Sequence, residues 1–508
     1  MIKKRIKILP GEFWYGGAVE HAPRLPFGGN SRYEIDLTVN PTYNQAAPLF
    51  LSSAGRYIWS DYGFKLTAAN GEIALSGNSD IGVVNAGGTL KDAYVSAMKA
   101  KFPFTGRVPD KLLFAAPQYC TWIELQYNQT QEGILEYARS VIAAGMPAGE
   151  LIIDDGWQKN YGEWRFNREK FSNPKAMVKE LKETGFSVLL WLAPYVTADT
   201  PVFRDELQKH GLLIKDANGK TAVKEWWNGF SAVLDTTNPE TLQWFRAQTG
   251  RLMKEYGISG FKIDGGDAMS YSAEDFTHKR VSPNEMCEGL ARLAGEYENN
   301  ELRACWKEGG AGLTQRLCDK SHQWDNNKGL DTLIPSVIQA GLIGHPFVCP
   351  DMIGGGQFLN FLPGMKTDEE LCLRWITASA LMPMMQYSKA FWRHESKVLR
   401  ETAVRYAKLR SELGGYIYSL AKESAKTGMP IVQSMEFAYP HCGYETCADM
   451  FKIGKYIVAP VVTKGAAGRT VRLPAGKYKN MIDGKTVTGG EEQTFDVPLT
   501  ELLWFEVL

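Results

Sequence analysis

Nowhere in its 508 residues does the chain hold an apolar run of the roughly 18 residues that a membrane-crossing helix needs. It also lacks net charge. The 57 Lys and Arg balance 57 Asp and Glu, with no long block of one sign. The basic field that nucleic acid or an anionic membrane would require is therefore missing, and neither is expected as a partner. Cysteine is scattered: of the eight, only Cys442 and Cys447 lie close in sequence, and no CxxC pair occurs. That excludes a disulfide framework and a zinc site. The eight read as buried free thiols, with Cys442 and Cys447 able to bridge only in an oxidising compartment. The basic opening MIKKRIKILPGEFWYGG is not followed by an apolar stretch, so no signal peptide is read. The expectation is a soluble protein, cytoplasmic or exported with its leader already removed. There is no fixed-period repeat, no metal-type histidine cluster and no glycine-rich phosphate turn after a strand, so no cofactor or metal is expected.

Aromatic residues are abundant, with 14 Trp and 22 Tyr. Most are expected to pack the core, and some to stack on the C–H faces of sugar rings. Texture divides the chain in three. Residues 1–112 are short alternating runs broken by Gly, Pro and Asn, such as FGGN and ANGEIALSG, which predict an N-terminal β-sandwich. Residues 113–418 alternate short apolar runs with amphipathic helical stretches. The runs LIIDD (151–155), SVLLWLAP (187–194), SGFKID (259–264) and HPFVCPD (345–351) each end in polar or charged residues. Buried parallel strands alternating with helices over this length predict an α/β fold, a (β/α)8 barrel with insertions. A doubly wound sheet is the alternative. Residues 419–508 return to short strands and turns, a small C-terminal β-domain.

In a barrel the active site gathers at the C-terminal ends of the strands. Asp154, Asp155, Asp264 and Asp351 all end predicted strands. A single such Asp serves equally well as a helix cap. Several of them at one mouth suit glycoside cleavage, which needs one carboxylate nucleophile and one carboxylic acid. Lys262, two residues before Asp264, lies on the same strand face and would favour its ionised form.

The segment GFKIDGGD (260–267) resembles the Phe-Lys-x-Asp motif of glycoside hydrolase family 31, and GLIGHPFVCPDMIGGG (341–356) resembles a second segment of that family. The resemblance covers about residues 113–400 and implies that Asp264 is the nucleophile. Within the family, EWWNGFSAVLDTTNP, LIIDDGWQKNYGEW and GLDTLIPSVIQAGLIGHPFVCPDMIGG are similar to the myogenesis-regulating glycosidase group, whose activity is α-galactosidase. That likeness implies a −1 subsite lined by Asp154, Asp155, Trp191 and Trp227. Lys307 then stands where relatives carry a sugar-contacting Arg, Arg316 matches a Gln-Arg pair, and Arg393 and His394 fall at an Arg-x-His contact. Arg393 and His394 suit a surface salt bridge equally well.

The family's general acid belongs to HQWDNNKGLDTLIP (322–335). Ungapped, its position falls on Asn327; with an insertion it falls on Asp325. Asn cannot give and regain a proton. Three readings stand open: a shifted register with Asp325 as the acid, an Asp→Asn substitution at 327, or a naturally impaired site. The expected function is a retaining, exo-acting α-glycosidase acting on small or oligomeric substrates with a terminal α-galactoside. The alternatives are another α-glycoside, the α-glucoside first, or a catalytically silent sugar-binding protein. Oligomeric state is left open.

Overall fold

A segment such as SVLLWL has no polar face, so it can form only a strand covered on both sides. The computed structural model, which describes residues 2–325 and 327–508, places Ser187–Leu192 as one such strand at the centre of a sheet of eight. In chain order the barrel strands are β1 (Gln118–Cys120), β2 (Glu150–Ile153), β3 (Ser187–Leu192), β4 (Gly260–Ile263), β5 (Asn299–Leu302), β6 (Gln315–Arg316), β7 (Val348–Cys349) and β8 (Gln386–Tyr387). Each pairs in parallel with its neighbour in sequence from β1 through β7, and β8 returns to β1. A parallel bridge between Met352, just past β7, and Gln386 of β8 closes the ring. The expected barrel is therefore present, and Asp154, Asp264 and Asp351 follow β2, β4 and β7 at its C-terminal mouth.

The helices between strands start where the sequence provides caps. Asn173, Asn238 and Ser282 each accept a backbone N–H in the first turn, and each precedes a proline. Proline at that place has no N–H to leave unpaired and a φ already suited to the helix. Two insertions shape the mouth. After β2 comes the hairpin Gln158–Asn160 with Glu163–Phe166; after β3 comes a small sheet of Tyr195–Val196, Val223–Trp226 and Gly229–Val233. The tight turn of that second insertion carries Trp227 and Asn228, with Gly229 at φ 94°.

The N-terminal sandwich has one sheet of four strands and one of five, packed over Trp14, Phe27, Tyr33, Phe50, Ile58 and Phe64. Its strand Ala46–Ser52 is buried along its whole length. One face belongs to the sandwich core. The other, with Leu49 and Leu51, joins the barrel core through Tyr94 and Met98 of the helix Leu90–Lys101. Sandwich and barrel thus share a continuous interior. Edge contacts reinforce this: the Ala46 N–H donates to the Cys305 carbonyl, and the Lys307 N–H donates to the Ala46 carbonyl. The expected boundary at 418 falls inside a 31-residue helix, Lys397–Thr427; the C-terminal strands begin at Val432. All eight cysteines are free thiols, Cys442 and Cys447 included.

Candidate active site

Asp264 follows β4 directly. Its Oδ2 accepts the Trp191 indole N–H at 3.1 Å, and its Oδ1 accepts the Arg303 Nε–H at 3.0 Å and the Gly265 N–H at 2.9 Å. Burial by itself would raise this carboxyl, but Arg303, Lys262 and Arg316 outweigh it, and Asp264 stays well below the usual carboxylate range. The surroundings thus favour the ionised form of this carboxyl at the barrel mouth. Arg303 is in turn gripped by Asp267, which accepts Nη1–H at 2.8 Å and Nη2–H at 3.1 Å. The sandwich reaches in here as well. The Tyr43 carbonyl accepts from Arg303 Nη1 at 2.6 Å, and the rings of Tyr43 and Trp227 lie 5.7 and 5.8 Å from the guanidinium carbon. Trp227 is half exposed, while Trp226 beside it is buried against Tyr195 and bonded to Ser231.

Lys262 does not touch Asp264 directly. Its ammonium donates to Asp154 Oδ2 at 2.7 Å, inside the barrel, where the Cys120 thiol also donates to that oxygen at 3.0 Å. Its charge is felt by Asp264 through space. Asp155 is different. Its Oδ2 accepts from Asn228 Nδ2 at 2.9 Å and from the Tyr161 hydroxyl at 3.2 Å, whereas its Oδ1 is buried with no hydrogen-bond partner among the described residues. Burial and the neighbouring Asp154 push the Asp155 carboxyl up to about 7. A buried oxygen with no donor is costly unless a ligand or water supplies one.

Arg316 ends β6 and collects carboxylates. Its Nη1 donates to Asp319 Oδ1 at 2.7 Å and to Asp351 Oδ1 at 2.9 Å, and its Nε lies 3.3 Å from Glu301 of β5. Asp351 sits at φ 78° and also accepts the N–H groups of Lys320 and Gly356. Gly356 has no room for a side chain: a Cβ there would lie 2.9 Å from both Asp319 Oδ1 and Asp351 Oδ1. Among the described residues no group of three or more His, Cys, Asp or Glu could hold a metal ion.

The structure gathers Asp154, Asp155, Trp191, Trp227, Lys262, Asp264, Arg316 and Asp351 around one mouth, and sends other expected residues elsewhere. Lys307 is a correction. It lies beyond the mouth at φ 57°, with its ammonium 3.1 Å from Glu288 and 3.4 Å from the Asp61 carbonyl. Arg303, four residues earlier and at the end of β5, is the cation that reaches Asp264. Arg393 is bound to Glu124 and Glu136, and His394 accepts from the Ser396 N–H. Asp325 and Asn327 are exposed in the loop after β6. Neither is among the hydrogen-bond partners of Asp264. Sequence reasoning missed Arg303, Asp267, Asp319, Asn228 and Tyr43. For Arg303 and Asp319 a signal existed, since both follow strand segments that point to the mouth.

Comparison with known proteins now decides the family. Residues 113–420 match the glycosyl hydrolases family 31 TIM-barrel domain, and residues 428–505 match the glycosyl hydrolase family 31 C-terminal domain. The chain belongs to glycoside hydrolase family 31. Among family 31 relatives it is 33% identical over 393 residues to the myogenesis-regulating glycosidase of Mus musculus, covering 74% of this chain and 53% of the relative. It is 26% identical over 352 residues to the sulfoquinovosidase of Escherichia coli (strain K12), covering 65% and 51% respectively. The chain thus spans about half the length of these two curated relatives. In fold it is similar to the family 31 dextranase of Flavobacterium johnsoniae in complex with glucose, with TM-score 0.86, 20% identity, and coverage of 99% of this chain and 66% of that one.

Proposed function

We propose that this family 31 glycosidase is a retaining, exo-acting enzyme that cleaves terminal α-galactosides, with Asp264 as nucleophile. The observation that carries the reading is Asp264 itself: a strand-end carboxylate held ionised by Arg303 and oriented by Trp191. Covalent catalysis by a carboxylate needs that charge before substrate arrives. In the proposed cycle Asp264 attacks C1, a glycosyl ester forms, and water then hydrolyses it with net retention.

The choice of galactose rests on Asp155 and on the likeness to the myogenesis-regulating group. The axial O4 of galactose points away from the place of the equatorial O4 of glucose. The Oδ1 of Asp155, without a partner among the described residues, is free to bond a sugar hydroxyl, and a site built to bond one epimer leaves polar groups unpaired with the other. The relatives also favour a second reading, because they include an α-glucosidase and α-xylosidases. The test is a comparison of kcat/KM for matched aryl α-galactoside and α-glucoside. The galactoside is expected to win by orders of magnitude. Equal or better turnover of the glucoside would overturn the galactoside assignment and leave the α-glycosidase reading intact.

A further inference from the structure

The leaving group of a glycoside rests against whatever lines the outer part of the mouth, and this chain lines one side of it with carbon. The arc begins at Trp227. A Cβ on Gly265, the residue after Asp264, would lie 3.3 Å from the Trp227 ring, so this half-exposed indole stands beside the nucleophile. From there the arc passes through Asn228 to Tyr127, in the loop after β1, whose hydroxyl donates to Asn228 Oδ1 at 2.7 Å. The Tyr127 ring lies 6.0 Å from that of Phe358, in the loop after β7. Leu359, Leu362 and Met365 follow in the same loop and keep 56%, 37% and 57% of their surface open.

A single exposed apolar residue is ordinary, whereas a contiguous set on the rim of a cleft marks a binding surface. This set is also anchored. The Gln357 N–H donates to the Lys320 carbonyl at 3.1 Å, and the His322 N–H donates to Asn360 Oδ1 at 3.0 Å. Phe358 and Phe361 pack on a buried cluster that includes Trp122, Met352 and Cys120, the last being the thiol bonded to Asp154. The polar groups along the arc are already engaged with one another. Asn228 donates its amide to Asp155 and to the Tyr161 hydroxyl, and its oxygen accepts from Tyr127. From Phe358 to Met365 the sequence holds no charged and no hydroxyl side chain. A second sugar would leave its hydroxyls unpaired against such a wall, at a cost in affinity. An apolar body loses no hydrogen bond there and sheds water on contact.

We propose that this arc seats the leaving group, and that the substrates are α-glycosides of apolar alcohols, alkyl or aryl, in place of a second sugar. The inference rests on the α-glycosidase reading above and adds to it the chemical class on the far side of the scissile bond. In the overall reaction the C1–O bond breaks, the apolar alcohol departs with one proton of a water molecule, and the hydroxyl of that water ends on C1. Trp227, Tyr127 and Phe358 form the part of the arc nearest the reacting bond, and Leu359, Leu362 and Met365 extend it outward for a longer chain.

The experiment measures kcat/KM of the full chain on methyl, butyl and hexyl α-galactosides (the α-glucosides if that epimer is the better substrate) and on a disaccharide of the same sugar with glucose as leaving group. The three alcohols depart with nearly equal ease, so differences along the series report contact with the chain and not the chemistry of cleavage. Each methylene laid against the arc should raise kcat/KM by about 2–4-fold, which places hexyl about 10²-fold above methyl. The disaccharide should fall below hexyl. Replacing two exposed residues together, Leu359→Ser with Leu362→Ser, should lower the hexyl-to-methyl ratio severalfold. Val398→Ser, at an exposed apolar position on the helix Lys397–Thr427, should leave that ratio as it is. A wild type that hydrolyses the methyl glycoside with no gain along the series, or that prefers the disaccharide to hexyl, would overturn the proposal while the glycosidase reading stands. A gain that persists undiminished in the double variant would overturn the arc as the seat. Failure of the wild type on every glycoside would refute the glycosidase reading, and this inference with it.

Discussion

At the scale of single residues, the mouth separates carboxyls by environment. Asp264 is depressed because cations outweigh its burial; Asp155 is raised because burial and Asp154 act together. Asp264→Ala should lose orders of magnitude in turnover while the fold persists, as circular dichroism and kcat would show, since no other nucleophile stands at the end of β4. Near-normal kcat would contradict the assignment. Asp155 makes a prediction of opposite kind for stability. Its folded carboxyl, at about 7, keeps a proton that the unfolded chain has already released near pH 4. The folded state therefore binds more protons across that interval, so this group's contribution to stability falls as pH rises from about 4 to about 7 and is level above. Asp155→Asn removes that penalty while keeping an acceptor for Asn228. Its Tm should exceed that of the wild type at pH 8 by more than at pH 4.5, while hydrolysis of the α-galactoside collapses. Equal destabilisation at both pH values would contradict the account.

At the scale of elements, the sandwich segment from Asn40 to Gln45 acts as a wall of the barrel mouth. Asn44 Oδ1 accepts the Cys318 N–H at 2.6 Å, and the Gln45 amide donates to Gln315 and to the Arg316 carbonyl. These bonds hold the short strand β6 and the residues just after it, where Asp319 lies. Asn44→Ala should lower stability by about 1–3 kcal/mol in denaturant unfolding, because it leaves the buried Cys318 N–H without its acceptor. It should lower kcat more than it raises KM, because the segment it steadies carries Arg316, one of the cations that hold Asp264 ionised. A change in KM alone would argue against that coupling. The same elements show what the sequence makes legible. Barrel strands and the motif around Asp264 are local patterns, readable from apolar runs and the residues that end them. Arg303 at the end of β5, Tyr43 of the sandwich and Asn228 of the insertion after β3 converge from three separate parts of the chain, and no local pattern announces that meeting. Lys307 is expected from the family resemblance alone; Arg303 lies four residues earlier, and spacing does not say which of the two cations faces inward.

At the scale of the whole molecule, the sandwich and barrel are one folding body. Tyr15, Leu49, Leu51, Tyr57 and Trp59 of the sandwich sit in the same buried cluster as the barrel interior. Deleting residues 2–85 would expose this apolar surface, so the remainder should give no cooperative thermal transition. A well-folded, active remainder would show the sandwich to be dispensable. The expected N-terminal unit was legible as a sandwich from its alternating runs, but its fusion to the barrel was not, because a strand buried on both faces reads the same whichever neighbour covers it. On the reading proposed above, the chain forms a covalent glycosyl ester on Asp264. The most direct test is mass spectrometry of the protein after reaction with a 5-fluoro-α-glycosyl fluoride, followed by peptide mapping. The account predicts one glycosyl unit per chain, on the peptide that carries Asp264. A label on any other residue, or turnover to the inverted sugar with no label, would contradict it.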